Sequence, residues 1–184
     1  MNARFIHPAY PLIVARNPFK VVGDTVCMEL TQGEIAVFDL ADLSLVAPHR
    51  WCAATFRRRT YAITQVRRTA YSRQESLRMH RLIMGVSDAA VFVDHHNLDG
   101  LDNHRDNLRV ATRPENGWNC PRPLTNTTGY KGVTKDARSG KYSAAIKVRG
   151  TTLYLGQFND PVEAARAYDQ AALRHHGAFA RTNF

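Results

Sequence analysis

An α+β fold is predicted for the chain, on three observations. Apolar residues alternate with polar ones in short runs over residues 20–66, the period-2 signature of half-buried strands. A strand, a polar loop, a second strand and a capped helix follow between Ala90 and Asn119. Residues 129–184 then read as three strands separated by Gly turns and one long helix. These divide the chain into an amino-terminal β-rich region (1–71), a strand–strand–helix core (72–120), a linker (121–128) and a sheet-and-helix module (129–184).

The elements follow in order. "KVVGDTVCMEL", "GEIAVFDL" and "TYAITQV" are strands bounded by turn residues. Phe38 and Trp51 are assigned to the core, since aromatics carry large buried area. "SRQESLRMHRLIMG", residues 72–85, carries Leu77, Met79, Leu82, Ile83 and Met84 at helical spacing, with Ser72 and Glu75 placed as a capping box. "AVFVD" ends a strand at Asp94-His95, and "NLRVAT" makes the next. "RPENGWN" starts a helix with Thr112 as cap and Pro114 in its first turn. "NCPRPLTNTTG" is rich in Pro, Asn and Thr and marks the main domain boundary. In the last module, "SG" at 139–140 and "RG" at 149–150 mark hairpin turns. Asp160 caps a helix that Gly177 ends, with Glu163 completing a capping box. Ala164, Ala165, Ala171 and Ala172 allow that helix to lie close on the sheet.

The chain has 25 Lys and Arg against 16 Asp and Glu, a net charge of +9. A basic balance of this size suits a polyanionic partner. Its distribution is more telling. Between Arg57 and Arg81 there are eight arginines and one acid, Glu75, whereas a merely solvated face would mix in acids. Cys27, Cys52 and Cys120 are far apart and lack the paired spacing of a zinc ribbon or a disulfide framework. No apolar run is long enough to span a membrane. The expectation is a cytoplasmic protein in a reducing compartment, with no membrane and no organic cofactor as partner, as a monomer or weak dimer.

The span "VDHHNLDGLDNHRDNLRVATRPENGWN" could fold so that Asp94 and Asn116 face one another. Its residue types suit metal-assisted phosphodiester cleavage. An imidazole near pKa ~6.5 can deprotonate water, and a divalent cation stabilises the charge that builds on phosphate and leaving oxygen. Asp94 and Asn116 offer hard oxygen ligands, which favours Mg²⁺ or Mn²⁺ over zinc. Asn107 could hold the His95 tautomer. Together with "HRLIMG", this span resembles the HNH endonucleases of the homing and phage-encoded kind, and "LTQGEIAVFDLADLSLVAPHRW" (30–51) resembles the region that precedes their core. The resemblance implies a ββα-metal site in which His95 is general base, Asp94 and Asn116 bind metal and Asn107 orients the base. His96 and Asn119 are the alternatives if the register shifts, and His80 is assigned to packing beside the site.

Residues 129–184, through "YKGV", "GKYSAAIKV", "YLGQF", "EAARAYDQAA" and the closing "NF", resemble the ethylene-response-factor (Apetala-type) DNA-binding domain. That family binds DNA with its sheet, which implies contact positions at Lys131, Lys141, Lys147 and Tyr154. Thr134, Ser139 and Thr152 stand where family arginines and a tryptophan are found, so the family's sequence preference does not carry over. Double-stranded DNA is the expected partner, with contacts from Arg57, Arg58, Arg59, Arg67, Arg68, Arg109, Lys131, Lys135, Lys141, Lys147, Arg149 and Tyr154. The combined expectation is a site-directed, strand-nicking DNA endonuclease. The alternatives are a DNA-binding protein or regulator with an inactive nuclease core and, less favoured by a groove-reading module, an RNA substrate.

Overall fold

The structure is a computed structural model that describes residues 5–7, 10–56, 58–67 and 74–184. It mixes strands and a few helices, its sheets are antiparallel, and it divides into two compact units, Met1–Val110 and Ala111–Phe184.

In the first unit, β1 (Phe5–His7) pairs with β2 (Tyr10–Ala15). A three-stranded meander follows, β3 (Phe19–Val22), β4 (Thr25–Glu29) and β5 (Ile35–Asp39), in register Val26↔Phe38 and Met28↔Ala36. Those four side chains are buried, so the alternation read from the sequence is the pleat turning one face inward. The short helix α1 (Leu43–Val46) precedes a second meander of β6 (Cys52–Phe56), β7 (Arg59–Val66) and β8 (Glu75–Arg78). Trp51 and Phe38 sit in the core as expected. Trp51 donates its indole N–H to the Val46 carbonyl at 2.9 Å. The Asn17 carboxamide accepts from the Trp51 backbone N–H at 2.8 Å and donates to the Glu29 and Trp51 carbonyls. A buried side-chain amide thereby satisfies backbone groups that no strand partner reaches.

The helix expected over 72–85 is shorter. Glu75–Arg78 is strand β8, paired to β7 through Ile63↔Arg78 and Thr64↔Leu77, and the helix α2 covers Met79–Ile83. Ser72, the expected cap, lies outside the described residues. The apolar run is short enough to suit either period, and non-local pairing with β7 decides for strand. The hairpin β9 (Phe92–His95) and β10 (Leu108–Ala111) completes the sheets of the first unit.

The second unit begins with α3 (Arg113–Trp118). Its Thr112 cap and Glu115 form the reciprocal capping box, and Pro114 lies in the first turn. The sheet β11 (Val133–Lys135), β12 (Tyr142–Val148) and β13 (Thr151–Phe158) is antiparallel. Arg149 and Gly150 form the β12–β13 turn with φ of 47° and 88°, the paired positive φ values of a type I′ turn. Helix α4 (Pro161–His176) starts at Asp160, whose side chain accepts from the Val162 N–H, and ends at Gly177. Ala164, Ala165, Ala171 and Ala172 are buried against the sheet. At Gly132, φ is +77° and a Cβ would fall 1.9 Å from the Tyr168 ring, so only glycine allows that close approach.

The chain ends inside this unit's hydrogen bonding. Asn183 accepts from the Lys131 N–H at 2.7 Å and donates to the Lys131 carbonyl, while the buried Asp169 carboxylate accepts from the Asn183 and Phe184 N–H groups. The "NF" ending is therefore a clamp between the start of the sheet and α4. Asn126, read as linker, donates to the Tyr130 and Val133 carbonyls at the start of the sheet.

Candidate nucleic-acid interface

Strand β9 carries Asp94 and His95 inward, and both are buried. Asp94 Oδ2 accepts two hydrogen bonds from Arg109 on β10, from Nε at 3.0 Å and Nη2 at 2.8 Å. The side chains are 1% and 19% exposed, which makes the pair a charge-assisted bond sealed inside a hairpin. His95 packs against His80 with ring centroids 4.8 Å apart, and Tyr61 lies against both rings at 5.7 and 5.8 Å. Burial, with the His95, Arg78 and Arg81 charges nearby, lowers His80 to a pKa of about 2. Burial also lowers His95, opposed by the hydrogen-bonding side chain of Asn103 and by the Asp94, Asp99 and Asp102 charges. His80 is thus buried and packed against Tyr61 and His95, as expected.

Two of the expected roles meet a different geometry. Asn107 is committed to the β9–β10 loop: its Oδ1 accepts from the Asn97 N–H at 3.0 Å, and its Nδ2 donates to Asn97 Oδ1 and the Asp102 carbonyl. The amide that bears on His95 is Asn103, fully buried and hydrogen-bonded to the Leu101 carbonyl. Arg109, expected on DNA, is engaged by Asp94. Asn116 lies in α3. Among the described residues no group of three or more His, Cys, Asp and Glu could hold a metal ion. A guanidinium 2.8 Å from Asp94 already neutralises that carboxylate and competes for the same oxygen.

The second unit offers a different kind of surface. Strand alternation directs Val133, Ala144 and Ile146 onto α4, where they are buried. The opposite face carries the cross-strand neighbours Thr134 and Ser143, Ser143 and Gln157, Ala145 and Tyr154, and Lys147 and Thr152. Lys147 and Thr152 are exposed, and Tyr154 is 63% exposed. Lys141 and Arg149 are exposed at the ends of β12, and exposed Lys135 lies over the Tyr142 ring at 5.6 Å. The face is open, polar and basic, and small at its centre, where Ala145 stands.

Lys131 departs from expectation. Its Nζ donates to the Trp118 carbonyl at 2.7 Å, and burial lowers it to a pKa of about 8. Tyr168 is buried beneath the sheet with Ile146, Ala171 and Ala172, and Tyr142 packs against the neighbouring cluster of Val133, Ala144, Ala164 and Ala165. Of the amino-terminal arginines, Arg58 and Arg67 are exposed and Arg59 is half-buried. Arg57 and Arg68 lie outside the described residues.

No family model matches the chain. Over about a third of its length it has homologues with an AP2/ERF-type DNA-binding domain. It is 40% identical over 62 residues to APETALA2-like protein 2 of Oryza sativa, a match covering 34% of this chain and 14% of that protein. It is 47% identical over 57 residues to the ethylene-responsive transcription factor WRI1 of Arabidopsis thaliana, covering 30% and 13%. The AP2-like ethylene-responsive transcription factor ANT of the same plant is 47% identical over 57 residues, covering 30% and 10%. The chain therefore spans about a seventh or less of the length of these relatives. The matched length fits the sheet-and-helix module. These relatives are transcription factors, not HNH nucleases, and this finding overturns the expectation that the chain is an HNH endonuclease. No helix among the described residues is long and apolar enough to cross a membrane.

Proposed function

We propose that the chain is a duplex-DNA-binding protein of regulatory type, which contacts DNA with the open face of β11–β13. The observation that carries this reading is the asymmetry of the sheet. Small alanines bring α4 tightly onto one face, and the other is left with Lys147, Tyr154 and three-carbon or shorter polar side chains. Such a sheet fits the width of a major groove of ~12 Å. Exposed cations supply the salt-dependent affinity that any phosphate contact brings. The similarity to transcription factors supports the same class of action.

The reading is tested by fluorescence anisotropy of the full chain on labelled duplexes across a salt series, beside supercoiled plasmid incubated with Mg²⁺ or Mn²⁺. Saturable, salt-sensitive binding with plasmid left supercoiled is the expected result. Nicked or linear product would overturn the regulatory reading.

A further inference from the structure

The arginine-rich span of the first unit has no part in that sheet, and its described residues take a definite form. Strands β6 and β7 close a hairpin whose tip holds Phe56, Arg58 and Arg59. Phe56 is 46% exposed although aromatic. From β8, the exposed Arg78 lays its guanidinium over two rings at once, 5.5 Å from the Phe56 centroid and 5.7 Å from that of Tyr61. Thr55 and Thr60, exposed and half-buried, face each other across the hairpin with hydroxyls 2.9 Å apart. Arg67 is exposed just beyond the far end of β7. Glu75, at the start of β8, is the one acid between residues 57 and 81.

An arginine lying over aromatic rings gives up rotamer freedom before any ligand arrives, yet keeps its planar fork of donors at the rim. A guanidinium so placed suits phosphate better than a mobile lysine does. We infer that the β6–β7 hairpin, with Arg78 held over Phe56 and Tyr61 and with Arg58 at its tip, is a second contact surface for the sugar-phosphate backbone of duplex DNA. This rests on the reading of the chain as a DNA-binding protein.

The experiment measures anisotropy of the full chain on a 30-bp duplex from low to moderate KCl. It compares wild type with Arg58→Ala, Arg58→Ala/Arg78→Ala, Arg78→Lys and Lys147→Ala. Arg166→Ala, exposed on α4 behind the sheet, is the control for charge loss off the open face. Each phosphate contact contributes ~0.9 to the slope of log affinity against log salt. The double variant should lower the slope by about 2 relative to wild type, Arg58→Ala by about 1, and Arg166→Ala not at all. Arg78→Lys keeps the charge and loses the planar fork, so it should weaken binding with the slope nearly kept. Arg58 sits at an exposed hairpin tip, so its variant reads binding even if the double variant unfolds. An unchanged slope in Arg58→Ala with weakened binding in Lys147→Ala overturns this inference and leaves the sheet reading standing. A lowered slope in Arg58→Ala with Lys147→Ala unaffected moves DNA binding from the sheet to the hairpin. Indifference in both overturns both.

Discussion

The indole of Trp118 lies flat on the imidazole of His176, with centroids 4.3 Å apart and planes 8° from parallel. This stack joins α3 to the end of α4. The Lys131 ammonium on the Trp118 carbonyl reinforces it. His176 Nε2 in turn donates to the Lys147 carbonyl at 3.0 Å, on the strand whose other face is open. A helix read from the sequence as the end of a nuclease core is therefore a fixed part of the sheet-bearing unit.

Truncating the indole should destabilise that unit. Trp118 is half-buried, and an aromatic stack adds ~0.5–1.5 kcal/mol beyond the area it covers. Trp118→Ala is expected to lower unfolding free energy by about 1–3 kcal/mol, and Trp118→Phe by less. Urea melts followed by circular dichroism on residues 111–184 check this. Equal stability of both variants and wild type would mean that the stack contributes nothing.

The Asp94–Arg109 pair is expected to act through stability in the first unit. Removing one partner of a buried ion pair costs ~3–5 kcal/mol, because the remaining charge is left in a poor solvent. Arg109→Ala should therefore lose about 3 kcal/mol or more, and Arg109→Ala/Asp94→Leu should recover part of it. Denaturant midpoints of the three proteins give the answer. A single variant as stable as wild type would show that the pair is not sealed as described.

Much of this architecture was readable beforehand, for reasons tied to particular residues. Asp160, Pro161 and Gly177 bound α4 because caps and breakers act within a turn or two of chain. Arg149-Gly150 announces a hairpin because few residues accept two successive positive φ values. What stayed hidden depends on distant partners. Leu77 and Met79 suit a helix until β7 claims the first for a sheet. Lys131 looks like one more cation of a basic face, and only the Trp118 carbonyl, thirteen residues away, takes it inward. Asn103 reads as a turn residue among many, with no local sign that it would be fully buried beside His95. The strand end at Asp94-His95 was legible, but the bonds from Arg109 to Asp94 are not a property of spacing.

Acid should weaken the first unit through His80. Its pKa is lowered from 6.5 to about 2 by burial, so the unfolded chain takes up a proton in a range where the folded one does not. Stability is then full above about pH 6.5 and falls as pH drops toward 2, by up to ~1.4 kcal/mol per pH unit for one proton. His95, also lowered, acts in the same direction. Urea midpoints at pH 7.5, 6.0 and 5.0 should fall in that order, and His80→Gln should flatten the trend. A trend unchanged in that variant would assign the acid sensitivity to other groups.

Two lysines in the same module separate structural from DNA-facing charge. Lys147 is exposed on the open face, and its backbone carbonyl accepts from His176. Lys131 directs its ammonium to the Trp118 carbonyl, and its pKa falls from 10.5 to about 8 through burial. Between those values the unfolded chain holds more protons, so stability should rise as pH increases from about 8 toward 10.5. Lys131→Met should remove that rise and leave the salt slope of DNA binding as in wild type. Lys147→Ala should leave stability within about 0.5 kcal/mol, as surface changes usually do, and lower the salt slope by about 1. Anisotropy across a KCl series, paired with urea melts at pH 7.5 and 9.5, measures all four quantities. A salt slope lowered by Lys131→Met as much as by Lys147→Ala would turn the Lys131 ammonium outward to phosphate and release α3 from the sheet.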